Sequence, residues 1–409
     1  VQPYLYIAKK YREETMKLYV GCSKTDKEKV KEASKGSARW NGKSKLWVLP
    51  ADPLMVKRLK EYLPNIEINS NTEEWLNQIV ERQKALNDAV VNNTPLNEGN
   101  KLYPFQCAAV RALIIAGSLI LGDEMGLGKT PVGCSAIKLS GAKKIIIICP
   151  NQVKWSWVEH LREWAGINEA YLVEANKTIS SEAVVIWKER EAHISRILQK
   201  DNFVMIMGFE MMKKYINNLT YGKYDLIIYD EAHRLKNRNA IVTKRAKQLS
   251  ACSQRSWLLT GTPVRNRPDD LFTLLSIVDP KRFSDYWDFV NLHMHCYHEY
   301  NHVVLGGVAD AEVFNSMISA YMVRRTKAEV MPELPEKIYT TLKIPLLPEQ
   351  EELYRTMEEE FIVSIRNEMI DGTYENVILS ASNTLAMMMR LRQICLSPSL
   401  LGDKITESA

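Results

Sequence analysis

The stretch Asp123-Glu124-Met125-Gly126-Leu127-Gly128-Lys129-Thr130 constrains this chain more than any other part of it. It lies between a short apolar run, Leu119 to Gly122, and a segment with helical spacing, Val132 to Leu139. A strand, a glycine-bearing turn and a helix in that order present backbone N–H groups and the positive helix end to an anion, and Lys129 adds a point charge. The general phosphate-loop pattern has its first glycine five residues before Gly128, where this chain has Asp123. The turn by itself therefore leaves the ligand open.

From Leu102 to about Val278, apolar strands alternate with amphipathic helices. The strands read as Leu119–Gly122, Lys144–Cys149, Phe203–Met207, Asp225–Tyr229 and Ser256–Leu259. Runs such as Ile145-Ile146-Ile147-Ile148, apolar at every position, are what a parallel sheet covered on both faces requires. The expected class is α/β. Residues 1–68 read as a small basic α+β domain, with strands at Lys17–Cys22 and Lys45–Leu49 around a helix at Thr25–Ser34. A helix at Glu73–Val91 and a turn-rich linker fill 69–101, the α/β lobe occupies 102–279, and 280–409 reads as mostly helical.

A second apolar strand ends in acids, Leu226-Ile227-Ile228-Tyr229-Asp230-Glu231-Ala232-His233. A carboxylate at the C-terminal end of a buried parallel strand faces the crevice where open α/β sheets bind ligands. There Asp230 can hold Mg²⁺, with the Thr130 hydroxyl as another ligand. Glu231 is placed to orient or deprotonate the attacking water in phosphoryl transfer. Together with the Gly-x-Gly-Lys-Thr turn these residues read as an ATP site, with Lys129, Asp230 and Glu231 catalytic.

In full, the octapeptide resembles the phosphate loop of the SWI/SNF-type branch of superfamily 2 helicase-like ATPases, in which the first glycine is replaced. Further blocks resemble that family in order. Leu102-Tyr103-Pro104-Phe105-Gln106 is similar to its adenine-reading segment, which implies Gln106 as the base reader. The blocks Cys149 to Glu159 and Ile206 to Glu210 are similar to motifs that touch the DNA backbone, implying Asn151, Lys154, Gly208 and Phe209 as contacts. His233-Arg234-Leu235-Lys236-Asn237 extends the acidic box and adds Lys236 and Asn237. Leu258 to Asn266 resembles the coupling motif and Val323 to Lys327 the bridge that follows, implying Thr260, Arg265, Arg324 and Arg325 in lobe coupling. The run Leu391 to Pro398 is similar to the approach to a second lobe.

The resemblance implies a RecA-like lobe that binds ATP and Mg²⁺ and a motor that acts on duplex or branched DNA. Pro104-Phe105-Gln106, and Cys296-Tyr297 between the coupling motif and the bridge, bring it nearer the annealing-helicase subgroup. Trp40 to Pro50 is similar to the HepA-related (HARP) domain of that subgroup. No Gln-x-x-x-Arg-x-x-Arg block occurs, so the second RecA-like lobe, with its charge-stabilising arginines, is expected in cis in a longer protein or from a partner. Weak ATP turnover without that lobe is the corresponding expectation.

Charge and cysteine usage fit this reading without forcing it. Residues 1–60 carry 15 Lys/Arg against 6 Asp/Glu, although the whole chain is only +5. That basic segment suits either a nucleic-acid attachment or a solvated lysine-rich surface. The seven cysteines include no Cys-x-x-Cys pair, which suits a reducing interior, cytoplasmic or nuclear. No run approaches the ~20 apolar residues of a membrane span. The cluster His293, His295, Cys296, His298 and His302 reads as a packed or surface run in a helical insertion rather than a zinc site. Helix packing is the expectation for Met387-Met388-Met389 and for at least two of Trp155, Trp157 and Trp164. A nucleotide-gated docking module and a remodeller of protein–DNA complexes are the rival functions.

Overall fold

The computed structural model describes residues 2–9, 16–96, 101–174, 183–186, 188–264, 267–299, 302–335, 338, 340–371 and 374–397. They fall into two compact units, 1–334 and 335–409.

Alternation builds the first sheet. In β1 (Tyr4–Lys9), Leu5 and Ile7 point inward while Tyr4 stays exposed. The strand pairs antiparallel with β2 (Met16–Gly21), whose Leu18 and Val20 are buried. With β3 (Arg39–Asn41), β4 (Leu46–Pro50) and β5 (Glu67–Ile68) the order is β3-β4-β2-β1-β5. Helices Lys27–Ser34 and Pro53–Tyr62 contribute Val30, Ala33, Met55, Val56 and Leu59 to its apolar cluster. Pro53 opens the second of these helices, and the Asp52 carboxylate caps it by accepting from the Leu54 N–H at 2.8 Å. Sequence reading found β2, β4 and the helix between them, and missed the helix Pro53–Tyr62 and the strands β1, β3 and β5. The last two span three residues and two, too short for a periodic signal.

Helix Ser70–Val91, capped by Asn69, leads to helix Pro104–Ala116. The large sheet follows with β6 (Leu119–Leu121), β7 (Lys144–Cys149), β8 (Tyr171–Val173), β9 (Val184–Ile186), β10 (Phe203–Gly208), β11 (Leu226–Asp230) and β12 (Ser256–Leu259). Ile146 and Ile148 enter the apolar cluster on one face, and Ile145 and Ile147 the cluster on the other. The unbroken isoleucine run is thus a strand covered on both sides.

Past Pro280 the described residues are mostly helical, as expected, with two exceptions. A hairpin of β13 (Met294–Glu299) and β14 (His302–Val308) carries His295, Cys296, His298 and His302 of the His-Cys run, so most of that run does not lie on a helix. On it His295 stacks on Tyr297, while His293, which closes the preceding helix, turns to Asp52 at 3.6 Å. Further on, β15 (Met322–Val323) joins the large sheet, whose order is β15-β6-β12-β11-β7-β10-β8-β9, parallel throughout. Two residues carry no strand signal of their own; β15 exists because β6 offers unpaired backbone groups at the sheet edge.

The small sheet meets the body through buried charge. Arg282 donates to Asp52 Oδ2 at 2.8 Å, and Lys17 donates to Asp288 at 2.8 Å. Leu292 of the body enters the small sheet's apolar cluster.

In the second unit, helices Pro348–Asp371 and Tyr374–Leu396 pair, and Gln350 near the start of one donates to the Ile394 carbonyl near the end of the other at 2.7 Å. Met388 and Met389 are exposed, against the packing expectation, and Met387 is half-buried; Ile394 and Gln350 are buried here. No helix among the described residues is long and apolar enough to cross a membrane.

Candidate active site

Every strand of the large sheet runs the same way, so the loops after β6, β7, β10, β11 and β12 share one edge. The phosphate loop leaves β6 and turns on two glycines, Gly126 with φ +85° and Gly128 with φ +76°. Both conformations favour glycine. A side chain at Gly128 would also strike the Gln106 amide, which donates to the Leu127 carbonyl at 3.1 Å. Gln106 Oε1 accepts from the Tyr103 N–H at 2.9 Å, so this buried side chain ties the start of its helix to the loop.

Helix Lys129–Ser140 begins at the end of the loop. Lys129 Nζ donates to the carbonyls of Asp123 at 2.8 Å and Glu124 at 3.2 Å. Burial lowers the pKa of its ammonium, against the pull of Glu231, Asp123, Asp230 and Glu124. Thr130 is half-buried beside it and Met125 is exposed at the loop's tip.

Asp230 ends β11 and is buried. Its Oδ2 accepts from the Trp157 indole N–H at 2.9 Å and its Oδ1 from the Glu231 N–H at 2.9 Å. Burial raises its pKa; the Trp157 donor and the backbone donor oppose that, and the Glu231 charge adds to it. Glu231 has φ +51°, a left-handed conformation that costs a non-glycine residue about 1 kcal/mol or more. Its Oε2 lies 3.1 Å from His233 Nδ1 without hydrogen-bond geometry and is buried with no hydrogen-bond partner among the described residues. His233 Nδ1 in turn lies 3.3 Å from Thr260 Oγ1. Thr260 is fully buried, and its N–H donates to the Leu121 carbonyl at 3.0 Å, linking acidic box, coupling motif and phosphate-loop strand.

These residues fit a magnesium nucleotide. The set combines a hydroxyl, a carboxylate held in place by two donors, and a second carboxylate with a free buried oxygen. Thr130 and Asp230 would hold the ion.

Asp123, the apparent defect in the loop, is buried and clasped by Arg325, whose backbone N–H and Nε both reach Asp123 Oδ1 at 3.1 Å. The Lys327 N–H donates to Glu124 Oε2 at 2.7 Å.

The residues expected at DNA divide. Asn151 is exposed and abuts Gly208, where any side chain would strike its Oδ1. Asn237 is exposed, and Lys236 is half-buried 3.7 Å from Asp270. Lys154, by contrast, is buried and donates to Glu174 at 2.6 Å, so its charge is satisfied inside the fold. Phe209 is likewise buried, in the apolar cluster of one sheet face, with Arg234 5.8 Å from its ring centroid. Arg324 is exposed; Arg265 lies outside the described residues.

Two participants escaped sequence reading as site residues. Trp157 is one of three tryptophans of which at least two are expected to pack; it does pack, and its N–H also anchors Asp230. Gly261 lies against the loop so closely that a methyl on it would be 2.5 Å from Met125 Cγ. Its place between Thr260 and Thr262 in the coupling motif was the available signal.

The SNF2-related domain matches residues 39–400 of the chain. A Caenorhabditis elegans relative, the SWI/SNF-related matrix-associated actin-dependent regulator of chromatin subfamily A-like protein 1 homolog, is 31% identical over 243 residues, 58% of this chain and 33% of that protein. The DNA annealing helicase and endonuclease ZRANB3 of Mus musculus is 28% identical over 273 residues, 63% of this chain and 24% of that protein. The solved Sulfolobus solfataricus SWI2/SNF2 ATPase core in complex with dsDNA aligns with a TM-score of 0.46 and 25% identity, over 76% of this chain and 61% of that one. The chain thus matches about a quarter to a third of the length of these two sequence relatives.

Proposed function

Because the chain belongs to the SNF2-related family, a family of ATPase motors, we propose that it is the nucleotide-binding lobe of a DNA-dependent ATPase that moves along duplex or branched DNA. The observation that carries this reading is the convergence of Lys129, Asp230, Glu231 and Thr260 on one edge of a parallel sheet, with Asn151, Gly208 and Asn237 on loops of that edge.

In this reading Lys129 and the N–H groups of the loop bind the phosphates. Magnesium, when bound by Thr130 and Asp230, neutralises charge on them, and Glu231 aligns the attacking water. Closure against a second RecA-like lobe would bring arginines to the transferring phosphoryl group, an effect of about 10³–10⁵ in rate. Asn151, Lys236 and Asn237 would take the DNA backbone; Lys154 and Phe209 are left to structural roles. Kinship with a named annealing helicase, together with the basic small sheet, supports branched DNA as the substrate.

The test is DNA-stimulated ATP hydrolysis by the intact protein. Glu231→Gln should still bind ATP and fail to turn it over, and Lys129→Ala should lose binding as well. Wild-type turnover in either variant would remove the assignment. Binding to forks no tighter than to linear duplex at equal salt would favour a general translocase over a junction remodeller.

A further inference from the structure

Two adjacent acids at the mouth of a phosphate loop oppose a polyanion, and here Asp123 stands where the general pattern has its first glycine, with Glu124 beside it. The compensation comes from about two hundred residues away in the chain. The strap from Tyr321 to Lys327 runs beside β6 and continues beside the loop. Ile120 N–H donates to the Tyr321 carbonyl at 2.9 Å, Gly122 N–H to Val323 at 2.7 Å and Glu124 N–H to Arg325 at 2.9 Å.

Arg325 pairs with the Asp123 carboxylate and donates to the Phe105 carbonyl, its guanidinium 5.4 Å from the Phe105 ring centroid. It therefore fixes loop and adenine-side segment together. Two residues on, the Lys327 side chain lies over Gly126, where a methyl group would sit 3.2 Å from Nζ. Gly126 belongs to the turn whose N–H groups face a bound phosphate. The Lys327 ammonium makes no ion pair among the described residues.

We propose that Lys327 is a second phosphate-binding lysine of the nucleotide site, carried onto the loop by the strap, with Arg325 as the positioning residue that docks it. Lys129 serves the phosphates from the start of its own helix; Lys327 serves them from the partner strand. The proposal rests on reading the loop as the ATP site.

Affinities for ATP, ADP and adenosine, measured by calorimetry on the intact protein, test it. Lys327→Gln should weaken ATP about tenfold or more, ADP less, and adenosine not at all, while Lys327→Arg restores ATP. Arg325→Gln should lower ATP affinity comparably, and Arg325→Lys should recover only part of it, because a lysine cannot reproduce the forked contact with Asp123. The ratio of ATP to adenosine affinity is taken within each variant, so a general loss of fold cannot mimic the effect. An unchanged ratio in Lys327→Gln, beside a Lys129→Ala control that does lose ATP, overturns the proposal. A Lys129→Ala control that binds ATP like the wild type overturns the underlying reading of the site instead.

Discussion

In the eight-stranded sheet both faces are covered by apolar side chains, and charge collects where the strands end. In the five-stranded sheet one face is covered, and buried charge forms the seam to the rest of the unit. Along the seam Asp52 meets Arg282 and His293, Arg282 donates to the Tyr321 hydroxyl at 3.2 Å, and that hydroxyl donates to Asp279 at 3.0 Å. At the strand ends of the large sheet, Glu231 keeps a buried oxygen with no hydrogen-bond partner among the described residues, and Lys129 donates to loop carbonyls. One set of charges is held available for a ligand; the other is consumed by the fold. Tyr321 belongs to both regions, since it closes the seam and starts the strap on the phosphate loop.

Four measurements would sharpen or break that contrast. The largest expected effect is at the seam. Asp52→Ala leaves Arg282 buried without its partner and should destabilise the protein by about 3–5 kcal/mol, while turnover per folded molecule stays near wild type. A small stability loss in denaturant unfolding would mean the seam is incidental.

The same carboxylate sets a pH dependence. Burial alone would raise the Asp52 pKa, but Arg282 and His293 outweigh it and hold the carboxyl well below its usual range. Its stabilisation is therefore complete above the unfolded-state pKa of about 4 and is lost as the pH falls through the lower folded value. The gap in unfolding temperature between wild type and Asp52→Asn should narrow between pH 6 and pH 3. A constant gap would contradict the assignment.

Next in size is Trp157→Phe at the nucleotide edge, which removes the donor to Asp230. A hydrogen bond to a charged group contributes about 1.5–3 kcal/mol, so turnover should fall roughly tenfold or more. Unchanged turnover would reduce Trp157 to packing. Smallest is Arg39→Ala. Arg39 is exposed and 3.6 Å from Asp285, and its loss should cost less than about 0.5 kcal/mol. A larger loss would extend the seam to the surface.

How far the sequence could be read depended on how local the deciding forces were. The strands Lys144–Cys149 and Ser256–Leu259 match the sequence expectation residue for residue, because burial on both faces leaves an apolar run with sharp ends. Tyr171–Val173 and Val184–Ile186 escaped notice, since three residues on the far side of the sheet are too few to show a period. The hairpin at 294–308 was hidden by its helical surroundings. In the site, Lys129, Thr130, Asp230 and Glu231 could be named because strand ends and a glycine turn place them by backbone geometry alone. Lys154 could not be judged that way: whether a lysine faces DNA or Glu174 depends on a partner twenty residues along, on another strand's end.

The sequence by itself determined the parallel sheet, the glycine turn, the helix after it and the acids at the end of β11, all of which follow from apolar runs and local backbone chemistry. Only the tertiary structure decided what Asp123 is for. Its partner, Arg325, is 202 residues away, and nothing in the spacing of two charged residues says that they will meet. That pairing depends on a two-residue strand completing the sheet edge, a contact that exists only once the sheet has formed.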